Sequence, residues 1–291
     1  MLQIACLART TLGDSTDLIA NFVAGQHCED GGYADRVGKS DLYYTVFAMN
    51  CLQAVGAEVP WAKIRAYLES FGDGEDLDFV HLCSLVRCWC MLPPEERSPA
   101  VATLLQRAEA YRAQDGGYHN FHKDHPNGSA YGCFFALGAY QDSEIAIPDM
   151  DGLLRSVAAL QTDDGAYAND HEIPLGATPA TAGAVTVLCD VKQAVDPRTG
   201  EWLQQRIYPE GGFFALANAP VPDLLSTATA LHALGLLQKP LPGPVVELCL
   251  DFVDTLWSSQ GAFYGHWADD ILDVEYTYYG LLALGHLSLL S

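Results

Sequence analysis

Apolar positions along the chain fall into paired stretches of unequal character. The second member of each pair is apolar nearly all round, as in VFAMNCLQAV (46–55) and YYGLLALGHL (278–287), which predicts a helix buried on every side. The first member keeps a polar face, with Lys63, Arg65 and Glu69 in one pair and Arg107, Glu109 and Arg112 in the next, which predicts an outer, half-exposed helix. A glycine-aromatic turn separates the two members: EDGGY ends at Tyr33, QDGGY at Tyr118, DDGAY at Tyr167, PEGGF at Phe213 and SQGAF at Phe263. Spacings of about 45 to 50 residues leave room for one more copy, and FGDGEDLD (Phe71 to Asp78) supplies it in degenerate form, giving six units. The buried helices begin near Asp41, Asp78, Ser129, Thr178, Asp223 and Asp273, where a short side-chain oxygen accepts first-turn N–H groups that have no partner within the helix.

Six helical hairpins in a row make either an open solenoid or a closed ring. A solenoid needs polar end units, whereas the sixth unit here is as apolar as the middle ones. Closure of the last unit onto the first is therefore expected. The Pro/Gly-rich stretches QKPLPGPVVE and LPPEERSPAV are short connectors, so residues 1–291 read as one all-α domain with glycine turns near 32, 74, 117, 165, 212 and 261.

Charge narrows the partners. With 15 Lys+Arg against 37 Asp+Glu, the net charge of -22 disfavours nucleic acid and anionic membrane surfaces. Nine cysteines, without a CxxC pair, sit mostly in apolar helical stretches and read as reduced, buried thiols; Cys88 and Cys90 form a lone CxC whose members point to different helix faces. There is no basic segment followed by an apolar leader, and no apolar run of membrane-spanning length, so a cytoplasmic protein without a transmembrane segment is expected. The loop HNFHKDH (His119 to His125) has three histidines at irregular spacing, enough only for adventitious metal binding.

The unit grammar QxxDGGY/F, a loop, then DxxY/T and an apolar helix resembles that of protein prenyltransferase β subunits and terpene cyclases over essentially the whole chain. The resemblance implies an α/α toroid (α6/α6 barrel) whose inner helices surround an aromatic-lined funnel for an isoprenoid. In unit 1, GGYADRVGKSDLYYTVFAMNCLQAVG resembles the prenyltransferase segment that binds diphosphate and zinc. On that alignment Arg36, Lys39 and Tyr44 fall on diphosphate-contacting positions and Asp41 on a zinc-ligand position, while Asp78 to His81 resembles the DxxH that completes the zinc site. The family's zinc-binding cysteine is Tyr43 here, and its diphosphate-binding histidine position is Asp273, which opposes both roles. Zinc or magnesium thus stays an open cofactor question, with Asp41 and His81 as metal candidates.

Terpene cyclases of the second type protonate an alkene or epoxide with the middle Asp of a DxDDTA motif. PDLLSTA (Pro222 to Ala228) has that frame with Leu225 in place of the acid; DVEYT (Asp273 to Thr277) places Glu275 there. Two carboxyls so close raise one pKa when buried. Aromatic residues gather at the inner-helix starts (Tyr43, Tyr44, Phe47, Tyr131, Phe134, Phe135, Tyr276, Tyr278 and Tyr279), and their faces suit a polyene or a cation.

Three functions follow from these readings. The leading one is a prenyltransferase-like enzyme holding a prenyl diphosphate through Arg36, Lys39 and Tyr44 against Phe47, Tyr131 and Tyr276, with a helical partner subunit as the resemblance implies. The second is a single-domain cyclase with Asp273, Glu275 and Tyr43 at its catalytic centre. The third is a non-catalytic toroid that binds proteins.

Overall fold

The computed structural model describes residues 1–290. Two short helices, α1 (Leu2–Ala5) and α2 (Ala8–Leu12), precede six outer-inner pairs. The pairs are α3 (Ser15–Gly25) with α4 (Leu42–Val55), α5 (Trp61–Glu69) with α6 (Phe79–Met91), α7 (Val101–Ala108) with α8 (Ala130–Asp142), α9 (Met150–Ala159) with α10 (Thr178–Asp190), α11 (Pro197–Gln204) with α12 (Leu224–Leu236), and α13 (Gly243–Thr255) with α14 (Val274–Leu287). The second helices are inside: α10 is buried at every position from Thr178 to Leu188, while α5 buries only Ile64, Tyr67 and Leu68.

Each inner helix packs on the next, α4 on α6 through to α12 on α14, and α14 then packs on α4. The ring is closed. The turn glycines show how the units interlock. Gly31 lies on the backbone of Lys63 in the next outer helix, where a Cβ would collide with the Lys63 carbonyl. Gly261, at φ 86°, makes the same contact with Leu18 in α3, so the sixth turn docks on the first unit. The positive φ and the missing Cβ are both needed there, which is why glycine recurs in this column. The two helices preceding unit 1 lie by α14: Gly285 approaches the backbone of Ile4.

A second column locks each turn to its inner helix. The backbone N–H of Tyr33, Tyr167, Phe213 and Phe263 donates to the hydroxyl of Thr45, Thr181, Thr227 and Thr277 at 3.0, 3.0, 2.9 and 3.5 Å. In unit 3 the Cys133 thiol takes the hydroxyl's place, accepting from Tyr118 N–H at 3.5 Å. Antiparallel bridges at the same turns form two small ribbons, β1 (Tyr33–Ala34) with β2 (Ser40–Asp41) and β3 (Trp257–Ser258) with β4 (Ala262–Phe263), which are minor additions to the expected all-α fold. No helix among the described residues is long and apolar enough to cross a membrane. All nine cysteines are free, and Cys51, Cys83, Cys88, Cys90, Cys133 and Cys249 are buried.

Candidate functional site

Five of the six expected inner-helix starts are side-chain caps: Asp41, Asp78, Ser129, Asp223 and Asp273 accept N–H bonds from the first turn of α4, α6, α8, α12 and α14. Thr178 is a correction. It is the first residue of α10, not its cap, and its hydroxyl donates instead to the Phe214 carbonyl at 2.6 Å, tying unit 4 to unit 5.

With the inner helices in register, positions counted from each cap fall into layers around a central cavity of about 300 Å³. Two residues past the cap stand Tyr43, Tyr131, Pro179, Leu225 and Glu275, all lining the cavity. Six past the cap stand Phe47, Ser84, Phe135, Gly183, Thr229 and Tyr279; nine past it stand Asn50, Arg87, Thr186 and His232. Steps of four and three residues return to one helix face, so the barrel axis receives the same stripe from each unit. Phe134 and Tyr278 add further aromatic wall. Of the nine expected aromatics, only Tyr44 and Tyr276 are not among the lining residues.

Among the described residues that line the cavity, the first layer holds the one side-chain carboxyl. The Tyr43 hydroxyl donates to Glu275 Oε1 at 2.7 Å. Burial pushes the Glu275 carboxyl up to about 7; the Tyr43 hydrogen bond opposes that shift, and the nearby Asp273 adds to it. Asp273 itself is 2% exposed and is pushed to about 6, again by burial. Its Oδ1 accepts from Tyr276 N–H at 2.8 Å, whereas Oδ2 is buried without a hydrogen bond, 3.6 Å from the Arg36 guanidinium. The expected acid pair is therefore assembled, with Glu275 facing the cavity and Asp273 capping behind it.

The charges outside the cavity are arranged differently. Arg36 forms an ion pair with Asp269, lies near Asp273, and stacks 5.6 Å over the Tyr276 ring. Lys39 is exposed on the loop that Asp35 organises. Tyr44 packs edge-on against Tyr43 at 5.7 Å between ring centres. Arg36, Lys39, Tyr44 and Tyr276 thus stand outside the cavity lining, and only Phe47 and Tyr131 of the six expected substrate contacts are within it.

Asp41 and His81 are drawn together, but to each other. His81 Nε2 lies 2.9 Å from Asp41 Oδ2, and its Nδ1 lies 2.8 Å from Asp78 Oδ1. The bond to Asp41, reinforced by Asp78, raises the His81 pKa to about 9, so the ring is a cation clamped between two helix caps. Among the described residues no three His, Cys, Asp or Glu side chains converge to hold a metal ion. A zinc site does not fit these residues: the third ligand position is Tyr43, whose hydroxyl is engaged by Glu275 and whose pKa burial drives far upward.

The deepest layer contains what sequence reasoning passed over. Arg87 pairs with Asp142 at 2.8 Å. His232 Nδ1 lies 3.0 Å from His286 Nε2; burial lowers the two pKa values to about 3 and about 4, so both rings are neutral. The available signal was a strongly polar side chain inside three largely apolar inner helices, Asn50, Arg87 and His232, each nine residues past its cap.

A family model of the prenyltransferase alpha-alpha toroid domain matches residues 2–84, 79–177 and 180–290. The chain belongs to this family. No curated protein matches the toroid's sequence. Among solved structures, it is similar to the type II terpene cyclase MstE from Scytonema, with a TM-score of 0.65 at 12% identity over 96% of this chain and 98% of that one. A variant of MstE in complex with its substrate, geranylgeranyl dihydroxybenzoate, matches with a TM-score of 0.60 at 15% identity, over 96% and 97% of the two chains. The Candida albicans protein geranylgeranyltransferase-I complexed with GGPP gives 0.50 at 15% identity, over 99% and 83%. At these identities the likeness is one of fold, so this toroid's chemistry has to be argued from its own cavity.

Proposed function

We propose that this toroid is a cyclase of the second type, which protonates the terminal alkene or epoxide of a polyprenyl chain and lets the cation close rings within the cavity. The observation that carries the reading is Glu275: a carboxyl whose pKa burial raises to about 7, in an aromatic first layer, with a hydroxyl aimed at one oxygen. In the first step the Glu275 O–H bond breaks, its proton adds to the substrate, and the new C–H or O–H bond leaves a carbocation or an opening epoxide. The carboxylate left behind is stabilised by the Tyr43 hydrogen bond. Neighbouring alkene electrons then form C–C bonds to the cationic carbon, and the charge moves along the chain. Phe47, Phe135 and Tyr279 in the second layer present rings to that charge, and an apolar wall keeps water from quenching it.

Transfer from a prenyl diphosphate, the first expectation from the sequence, has less support. A diphosphate at Arg36 would compete with Asp269 and Asp273 for the guanidinium and would face the buried Asp273 carboxyl. The test is to incubate the purified protein with geranylgeranyl dihydroxybenzoate and with geranylgeranyl diphosphate and to look for cyclic isomers by mass spectrometry and NMR. The reading expects a cyclic product from at least one of them, formed at least about a hundredfold more slowly by Glu275→Gln; no cyclic product from either contradicts it and leaves prenyl transfer and the protein-binding toroid.

A further inference from the structure

Each ring closure moves positive charge away from the acid, so the cavity needs a means of ending the reaction at the other end. We propose that His232, backed by His286, is the base that takes the terminating proton. This rests on the cyclase reading and adds the identity of the product: an alkene formed by elimination, not an alcohol formed by water capture.

The geometry supplies three separate supports. His232 lines the same cavity as Glu275, and it is seven positions deeper in its helix, nine past the cap against two. At 1.5 Å per residue that depth is about 10 Å along the barrel, so the acid and the imidazole sit at opposite ends of the space a folded chain would fill. His232 Nδ1 is engaged by His286 Nε2 at 3.0 Å. In the tautomer in which Nδ1 donates, Nε2 of His232 keeps its lone pair. Finally, both rings are buried, each 7% exposed, and the depressed pKa values keep them unprotonated before the reaction. Other polar groups of the cavity serve less well: Arg87 is already a cation paired with Asp142, the Asn50 amide and the Thr186 hydroxyl are far weaker bases than imidazole, and the Met1 α-amino group, which lines the cavity too, acts on both histidines as a positive charge that lowers their pKa values.

The step balances without a co-reactant. A C–H bond next to the final cationic carbon breaks, its electron pair becomes the new C=C bond, and the proton goes to His232 Nε2. The resulting imidazolium donates Nδ1–H to His286 Nε2, which spreads the charge over the pair. The proton gained equals the one Glu275 gave up, so the overall reaction is an isomerisation once both groups exchange with solvent.

Product composition, normalised to substrate consumed, tests the assignment. Unaltered protein, His232→Phe and His286→Phe are each given geranylgeranyl dihydroxybenzoate and geranylgeranyl diphosphate. The unaltered protein is expected to yield chiefly one cyclic alkene. In His232→Phe the share of that alkene falls by about tenfold or more, replaced by alcohols or by alkenes from elimination at another carbon, as removal of a positioned base implies; His286→Phe shifts the ratio in the same direction by less. Should His232→Phe fail to fold, His232→Gln, which keeps a hydrogen-bonding group of negligible basicity, carries the same expectation. An unchanged product ratio in the folded variant overturns the assignment while leaving cyclisation by Glu275 intact. Absence of any cyclic product from the unaltered protein overturns both.

Discussion

The charged crown outside the cavity and the first layer within it begin from similar residues and end with opposite chemistry. In the crown, two of the charges that looked available for a ligand have protein partners, Arg36 with Asp269 and His81 with Asp41 and Asp78, while Lys39 is exposed on its loop. In the first layer, Glu275 has only a neutral hydroxyl for a direct partner, and its neighbouring carboxylate makes ionisation harder still. Scarce cations in an acidic chain are drawn into ion pairs, so their rarity in sequence does not make a phosphate site. An acid two residues past a helix cap, turned toward an apolar axis beside a second carboxyl, holds its proton to higher pH instead.

That contrast is broken most severely at Glu275. Replacing it with Gln keeps the shape and removes the proton, and the rate of cyclic-product formation should fall by about 10²- to 10⁴-fold, as for loss of a general acid; the same change should leave thermal unfolding cooperative. Tyr43→Phe removes the hydrogen bond that stabilises the carboxylate formed on proton donation. A hydrogen bond to a charged group contributes about 1.5–3 kcal/mol, so single-turnover rates should drop by about ten- to a hundredfold. In the crown the corresponding losses concern folding. Asp41→Ala deletes the α4 cap, which accepts from Tyr43 and Tyr44 N–H, and should lower unfolding stability in a urea titration by about 1 kcal/mol, with a further loss at pH values where His81 is protonated because its bond to Asp41 goes too. Loss of cyclisation in that variant out of proportion to its stability would move Asp41 from the crown into the site.

The pH dependence of stability separates the two regions without any substrate. Glu275 is raised from 4.5 to about 7 in the folded protein, so the folded state binds more protons across that interval and stability falls as pH rises through it. His81 is raised from 6.5 to about 9, so the clamp's contribution is full below 6.5 and is lost as pH climbs toward 9. Glu275→Gln should reduce the slope of the stability curve between about 4.5 and 7, leaving the share of Asp273 below about 6, and His81→Gln should reduce it between about 6.5 and 9, as checked by denaturant titrations at each pH. Flattening of the same interval by both variants would show that the two regions titrate as one.

The ring was legible because its signals are local: glycine where a turn meets the next outer helix, a capping oxygen at the start of five inner helices, and apolar residues on every face of the inner ones. The Glu275 position was legible for the same reason, since its place is fixed by the cap two residues before it. What escaped depends on contacts made by closure. Arg36 and Asp269 are 233 residues apart and meet only when the sixth unit docks on the first. The His232–His286 pair is formed between two helices, and a single histidine on an apolar helix reads as an ordinary core exception until its neighbour is known. The threonine column was visible as residues, yet its bonds to the turn N–H groups appear only once the turn has folded back onto the helix.

Labelling from solvent tests the central claim most directly. With geranylgeranyl dihydroxybenzoate or geranylgeranyl diphosphate in deuterium oxide, a reaction begun by the Glu275 proton places solvent deuterium at the chain terminus opposite the head group. The expected result is a cyclic product carrying deuterium there in every molecule, with any diphosphate retained. A product that has lost its diphosphate and carries no deuterium at that terminus would mean that the reaction starts by departure of the leaving group, and the assignment of Glu275 as proton donor would be wrong.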